Sequence, residues 1–141
     1  MSERDPLYRL AGDLRLACQQ VSRRVRYEGS REVPPHWVPV LSALREAPRG
    51  PGELASLERV SKPSMTRTLR CLSEAGLVRF DDHPSDGRQK RVSLTEDGRE
   101  LIERTRRDRD DFMVRFVEGL DPEQQALLRG ATDLLVELMR R

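Results

Sequence analysis

The chain has 141 residues, of which 36% are hydrophobic and 35% charged, with a formal net charge of +2. That length supports one domain or two small lobes around a real core and is too short for a large enzyme. A balance so near neutrality excludes a polycation that coats any nucleic acid. No run approaches the length of a membrane span, and the opening segment MSERDPLYRL lacks the apolar core of a signal peptide, so the cytoplasm is the expected compartment.

Asp5-Pro6 has the form of an N-cap followed by proline at the first helical position. From there Leu7, Leu10, Leu14, Ala17 and Val21 alternate spacings of three and four, which predicts a helix to about Arg26 with a narrow, coiled-coil-like seam. Tyr27 to Pro35 reads as a loop. A second helix carries Trp37, Val40, Leu41 and Leu44, and Pro39 either marks its start or kinks its first turn. The cluster Ala47-Pro48-Arg49-Gly50-Pro51-Gly52 breaks the chain, and a short helix follows from Glu53 to Val60 with Leu54, Ala55 and Leu57 expected inward.

The segment from Ser61 to Gly76 carries the clearest helix signals in the chain. Ser61 is an N-cap, Pro63 lies in the first turn where a missing N–H does no harm, and Gly76 suits a left-handed stop. Met65, Leu69 and Leu72 share one face. Pro63, Ser64, Arg67, Arg70 and Cys71 point the other way, with Thr66 on the flank. Such a helix, joined to its predecessor by a tight turn, has the pattern of a helix-turn-helix whose second member reads a major groove. Arginine can bond guanine O6 and N7 together, and Ser and Thr can serve bases or phosphates. Residues 48–94 hold nine Lys/Arg against six Asp/Glu, so DNA binding would depend on placed contacts more than on bulk charge.

After Gly76 the apolar period changes to two. Leu77-Val78-Arg79-Phe80 and Arg91-Val92-Ser93-Leu94 flank the turn residues His83-Pro84-Ser85-Asp86-Gly87, which predicts a hairpin with Arg88 and Lys90 at its tip. A basic tip beside a recognition helix can lay a guanidinium into a narrow minor groove. The blander reading is a solvated hairpin in which Asp86 and Arg88 pair with each other. Thr95 is expected to cap a long helix that carries Leu101 and Ile102, then the charged run Arg104 to Asp111, then Phe112, Met113, Phe116, Val117 and Leu120. The run is expected to be a solvated strut held by pairs such as Glu103–Arg107 and Arg104–Asp108. Asp121-Pro122-Glu123-Gln124 has the form of a capping box and opens a last helix with a broad apolar face from Leu127 to Met139.

The apolar surface at the two ends of the chain exceeds what one small lobe can cover, and a symmetric dimer built from both termini is the simplest way to bury it. The expected fold is therefore mainly α with a small β-wing. A winged helix-turn-helix lobe over residues 34–95 adjoins a helical dimerisation lobe made of residues 1–30 and 96–141. Cys18 and Cys71 match no metal spacing and are expected to be free thiols, with no metal or cofactor. No nucleophile has a His and an acid at meaningful spacing, no glycine loop cradles phosphate, and only His36 and His83 are present, so an enzyme is not expected.

GELASLERVSKPSMTRTLRCLSEAGLV, followed by a wing of the form H-P-x-D-G-R and then VSLTEDGREL, resembles the MarR family of winged-helix regulators. The resemblance is strongest over Gly52–Leu101 and covers the rest of the chain in element order, as a single domain over 1–141. It implies a cytoplasmic homodimer that binds double-stranded DNA at a pseudo-palindromic operator and represses a nearby gene. It makes Pro63, Ser64, Thr66, Arg67 and Arg70 recognition contacts and Arg88 the minor-groove arginine, with Lys90 beside it and Asp86 orienting Arg88. Gly87 departs from the pattern, since many members carry a second arginine there. Family members often release DNA when a small aromatic or lipophilic effector enters a cleft between the lobes, and Arg15, His36, Trp37 and Val40 are the candidates for that cleft. A thiol-based branch senses peroxide. Cys18 would lie in the matching helix, on the apolar stripe where a thiol is usually inert, and Cys71 on the recognition helix is the second candidate. A protein-interaction module that does not bind DNA is the remaining alternative, opposed by Arg67, Arg70 and Arg88.

Overall fold

The computed structural model describes residues 2, 4–28, 32–82 and 90–141. Within these residues the order is α1 (Pro6–Glu28), α2 (Trp37–Glu46), α3 (Pro51–Glu58), α4 (Lys62–Glu74), β1 (Val78–Asp82), β2 (Lys90–Leu94), α5 (Glu96–Val117) and α6 (Pro122–Met139). The termini of these elements follow the capping chemistry. The Asp5 carboxylate accepts the Leu7 N–H at 2.8 Å at the head of α1. Pro39 sits in the first turn of α2, where its missing N–H has no helical partner to lose, so the helix starts at Trp37 and runs through it. The Asp121 carboxylate accepts the Gln124 N–H at 2.8 Å while the Gln124 side chain accepts the Asp121 N–H at 3.2 Å, a complete capping box for α6.

The core lies in the winged lobe. Val38, Val40, Leu41 and Leu44 of α2 meet Leu54 and Ala55 of α3 and Met65, Leu69 and Leu72 of α4. Leu77, Val78, Val92 and Leu94 of the hairpin close the cluster with Leu101 and Ile102 of α5. Each of the fully buried leucines contributes about 1.5–3 kcal/mol by leaving water. Leu101 and Ile102 show that the first turns of α5 belong to this core, so the long helix is rooted in the winged lobe. β1 and β2 are antiparallel, with Val78 opposite Leu94 and Phe80 opposite Val92. An isolated bridge between Arg49 and Val92 adds a third main-chain segment to that hairpin.

Several expectations need correction. Leu57 is exposed, because α3 is short and buries only Leu54 and Ala55. α1 runs on to Glu28, beyond the expected Arg26. The charged run of α5 is more than a solvated strut. Arg45 of α2 binds Glu103, Arg106 also approaches Glu103 at 3.6 Å, and Arg104 reaches Glu32 at 3.1 Å. Arg45 and Glu32 are thus cross-element partners of Glu103 and Arg104, where the sequence predicts partners at Arg107 and Asp108, and Arg106 adds a pair within α5. Thr105, in the middle of the run, is buried and its hydroxyl donates to the Leu101 carbonyl at 3.0 Å.

The opposite end of the molecule is bare. Leu7, Leu10, Leu14 and Val21 of α1 are exposed, as are Leu127, Leu128, Leu134, Val136, Leu138 and Met139 of α6. α6 buries no residue at all.

Candidate nucleic-acid interface

α4 is held rigidly at both ends and along its back. The Ser61 hydroxyl accepts the Ser64 N–H at 3.2 Å. At the far end Gly76 adopts φ +76, the Gly76 N–H reaches the Ser73 carbonyl at 2.9 Å, and the Leu77 N–H reaches the Leu72 carbonyl at 2.9 Å. That pair of bonds is a Schellman stop, and it needs the left-handed residue that glycine supplies without a Cβ penalty. Met65, Leu69 and Leu72 are all at most 2% exposed. The turn before α4 depends on Arg59, whose φ of 53 makes it the one non-glycine residue with positive φ among the described residues. No sequence signal marks Arg59, since Asn or Gly is the usual choice in that conformation.

The opposite face carries the predicted contacts. Pro63, Thr66, Arg67, Arg70 and Cys71 are exposed and Ser64 is half-buried. The Arg67 guanidinium donates to Ser64 Oγ at 3.2 Å, and Thr66 Oγ1 donates to the Lys62 carbonyl at 2.9 Å. The structure thus brings Pro63, Ser64, Thr66, Arg67 and Arg70 onto one outward surface of a helix fixed from behind. Such a surface can offer bidentate donors to a base edge and hydroxyls to bases or phosphates. Lys90 is exposed at the start of β2. Asp86 and Arg88 lie outside the described residues.

Arg49 is a residue whose role the sequence concealed, because it sits in a proline and glycine cluster that reads only as a breaker. Its main chain exchanges bonds with Val92 at 3.0 and 2.8 Å. Its guanidinium binds the Ala43 carbonyl at 3.1 Å, Glu53 at 3.0 Å and Glu46 at 3.2 Å. Arg49 therefore ties the end of α2, the first turn of α3 and β2 together.

The effector candidates are scattered. Arg15 is exposed and donates to Gln19 at 3.2 Å, His36 is exposed, Trp37 is half-buried against the core, and Val40 is 2% exposed within it. A cleft of about 450 Å³ between α1, the segment before α2, and α5 is lined instead by Arg26, Tyr27, Glu32, Val33, Pro34, Pro35, Val38 and Arg109. Burial, reinforced by the nearby Arg26, lowers the Arg109 pKa from its ordinary value. Among the described residues no group of His, Cys, Asp and Glu could hold a metal ion, and no helix is long and apolar enough to cross a membrane.

Comparison with known proteins accords with this geometry. A sequence model of the MarR family matches residues 32–89. An uncharacterized HTH-type transcriptional regulator of Mycobacterium leprae is 39% identical over 135 residues, which cover 93% of each chain. A cysteine-to-serine mutant of the Escherichia coli MarR protein superposes with a TM-score of 0.77 at 25% identity, over 96% of this chain and 99% of that one. Streptococcus pneumoniae FabT, solved in complex with DNA, shares the fold with a TM-score of 0.70 at 19% identity, over 95% of this chain and 97% of that one.

Proposed function

The chain belongs to the MarR family of DNA-binding transcriptional regulators, and from that membership we propose that it works as a homodimeric repressor of a pseudo-palindromic operator. The observation that carries this reading is the outward surface of α4, where Arg67 and Arg70 stand exposed over a back of Met65, Leu69 and Leu72. Pro63, Ser64, Thr66, Arg67 and Arg70 contact the major groove, and the hairpin, with Lys90 and the tip residues Asp86 and Arg88, contacts the adjoining backbone and minor groove. Two copies associate through the bare faces of α1 and α6, as residues 1–30 and 96–141 forming one lobe. The winged lobe, residues 34–95, is held at a fixed separation from its twin. FabT in complex with DNA supports the same use of the fold.

A small aromatic or lipophilic acid relieves repression by entering the cleft beside Tyr27, Val33 and Val38, where Arg26 and Arg109 supply positive charge. The cleft lies between α1 and α5 of the dimer lobe and the edge of α2, so filling it changes how the winged lobes sit. Arg15, His36, Trp37 and Val40 do not line it.

Mobility shift of the duplex upstream of the chain's own gene, combined with sedimentation, tests the reading. One dimer should bind per site, with half-sites about one helical turn or roughly 10–10.5 bp apart. A monomer without salt-sensitive affinity for that duplex would sink it. Release of the duplex by aromatic carboxylates in the same assay tests the effector.

A further inference from the structure

Arg49 reaches two helices and the hairpin from one half-buried position between α2 and α3. Its N–H meets the Val92 carbonyl at 3.0 Å and its carbonyl accepts the Val92 N–H at 2.8 Å, so its main chain pairs with β2. Its guanidinium spans the Ala43 carbonyl at 3.1 Å, Glu46 at 3.2 Å and Glu53 at 3.0 Å. Ala43 and Glu46 lie in the last turn of α2 and Glu53 in the first turn of α3. A planar guanidinium offers donors in a fixed fork and can satisfy several acceptors at once, which a single ammonium on a flexible stem does not match.

The place of this bridge along the hairpin gives it a consequence for binding. β1 leaves α4 at the Gly76 stop and β2 runs into α5 at Thr95, so the hairpin is fixed at its base by both junctions. A two-stranded ribbon has little stability of its own and twists readily. Val92 is the middle residue of β2, on the tip side of Leu94, so Arg49 grips the ribbon beyond its base. On the other side Glu53 belongs to α3, which shares the core with α4 through Leu54, Ala55, Met65 and Leu69. Arg49 thus links the hairpin to the helix pair that carries the outward face of α4. Glu46 and Glu53 are exposed, a setting in which ion pairs add little to overall stability. What the guanidinium controls is where the hairpin sits.

We propose that Arg49 is a positioning residue for DNA binding, whose side chain holds the hairpin at a set distance from α4 so that the two engage neighbouring grooves of one duplex together. The proposal rests on the reading that α4 meets the major groove and the hairpin the minor groove. Arg49 acts through β2 and α3 and reads no base itself.

Dimethyl sulfate footprinting of the upstream duplex at saturating protein tests it, because the reagent methylates guanine N7 in the major groove and adenine N3 in the minor groove. Wild type should protect both. Arg49→Ala should keep the guanine protection under α4 and lose the adenine protection under the hairpin. Its thermal melt should stay close to that of wild type, since the main-chain pairing with Val92 does not need the side chain. Glu46→Ala/Glu53→Ala removes the same ion pairs from exposed positions and should reproduce the selective loss with Arg49 intact. Wild-type protection of both bases in both variants overturns the positioning role and leaves the DNA reading standing. Proportional loss of both protections in Arg49→Ala would mean that Arg49 supports the lobe as a whole, and overturns the role as well. A wild type that protects guanine alone overturns the wing contact on which the proposal stands, and one that protects neither overturns the DNA reading itself.

Discussion

Gly98 lies so close to the main chain of Leu77 that a Cβ at Gly98 would stand 2.0 Å from the Leu77 carbonyl oxygen. That approach seats the first turn of α5 against the junction of α4 and β1. The same junction is bonded twice by Thr95, whose hydroxyl donates to the Gly76 carbonyl at 2.6 Å and whose N–H reaches the Leu77 carbonyl at 3.1 Å. The obstacle is backbone and cannot rotate away. Gly98→Ala should therefore destabilise the protein by about 1–3 kcal/mol or more through overpacking, read by urea denaturation. A loss under roughly 0.5 kcal/mol, the range of ordinary surface changes, would mean that α5 can slide without consequence.

The Arg45–Glu103 pair joins α2 to α5 and makes stability sensitive to acid. The hydrogen bond from Arg45 holds the Glu103 carboxyl below its ordinary value of 4.5, with the charges of Arg45, Arg106 and Arg107 adding to it and partial burial opposing. A carboxyl whose folded pKa is depressed contributes stability that is fully present above its unfolded value and disappears as pH falls through the folded value. Glu103→Gln should lower the melting temperature at neutral pH and leave it nearer wild type below about pH 4. Parallel melting curves across that range would show that the pair adds nothing.

Arg67 and Arg70 offer a sharper discrimination than affinity alone. A residue that reads a base edge costs about 1–3 kcal/mol of operator binding when truncated and relaxes the preference at one position. Arg67→Ala and Arg70→Ala should do this in a selection from partly randomised operators. An unchanged base profile with uniformly weaker binding would reassign both to phosphates.

Cys71 is exposed on the outward face of α4 and Cys18 is exposed on α1. Adding operator should slow alkylation of Cys71 by N-ethylmaleimide and leave the DNA-free rate at Cys18, as mass spectrometry of peptides would record. Equal rates at Cys71 with and without operator would place α4 away from the groove.

The bare faces can be tested by charge. Leu127 and Leu134 of α6 are 75% and 55% exposed in the single chain. Leu127→Glu/Leu134→Glu should yield a monomer by light scattering and lose most operator affinity while keeping the winged lobe folded. A dimer that survives both carboxylates would move the interface elsewhere.

The sequence was most legible where local chemistry decides. Ser61, Thr95 and Asp121 cap where the oxygen-bearing side chain meets a following amide, and Gly76 stops α4 because φ +76 favours glycine. The α4 faces followed from spacing alone. What escaped was long-range. Nothing local says that Glu103 will take Arg45 of another helix as a partner besides Arg106 on its own, since pairs one turn apart contribute only about 0.2–0.5 kcal/mol. The Arg49–Val92 bridge spans a sequence gap that periodicity cannot see, and Arg59 takes a left-handed conformation that its residue type does not advertise.

α6 has a full capping box and an apolar face, yet not one of its side chains is buried by its own chain. A helix of that length gains most of its stability from packing, so in the proposed dimer completing it and pairing with a second copy would be one event. Mass action in that dimer would make the protein's durability a function of its own abundance. Newly made or diluted chains would carry a frayed, protease-accessible tail, and accumulation would protect them. A regulator built this way has a floor on its working concentration, below which turnover removes it before it can occupy an operator.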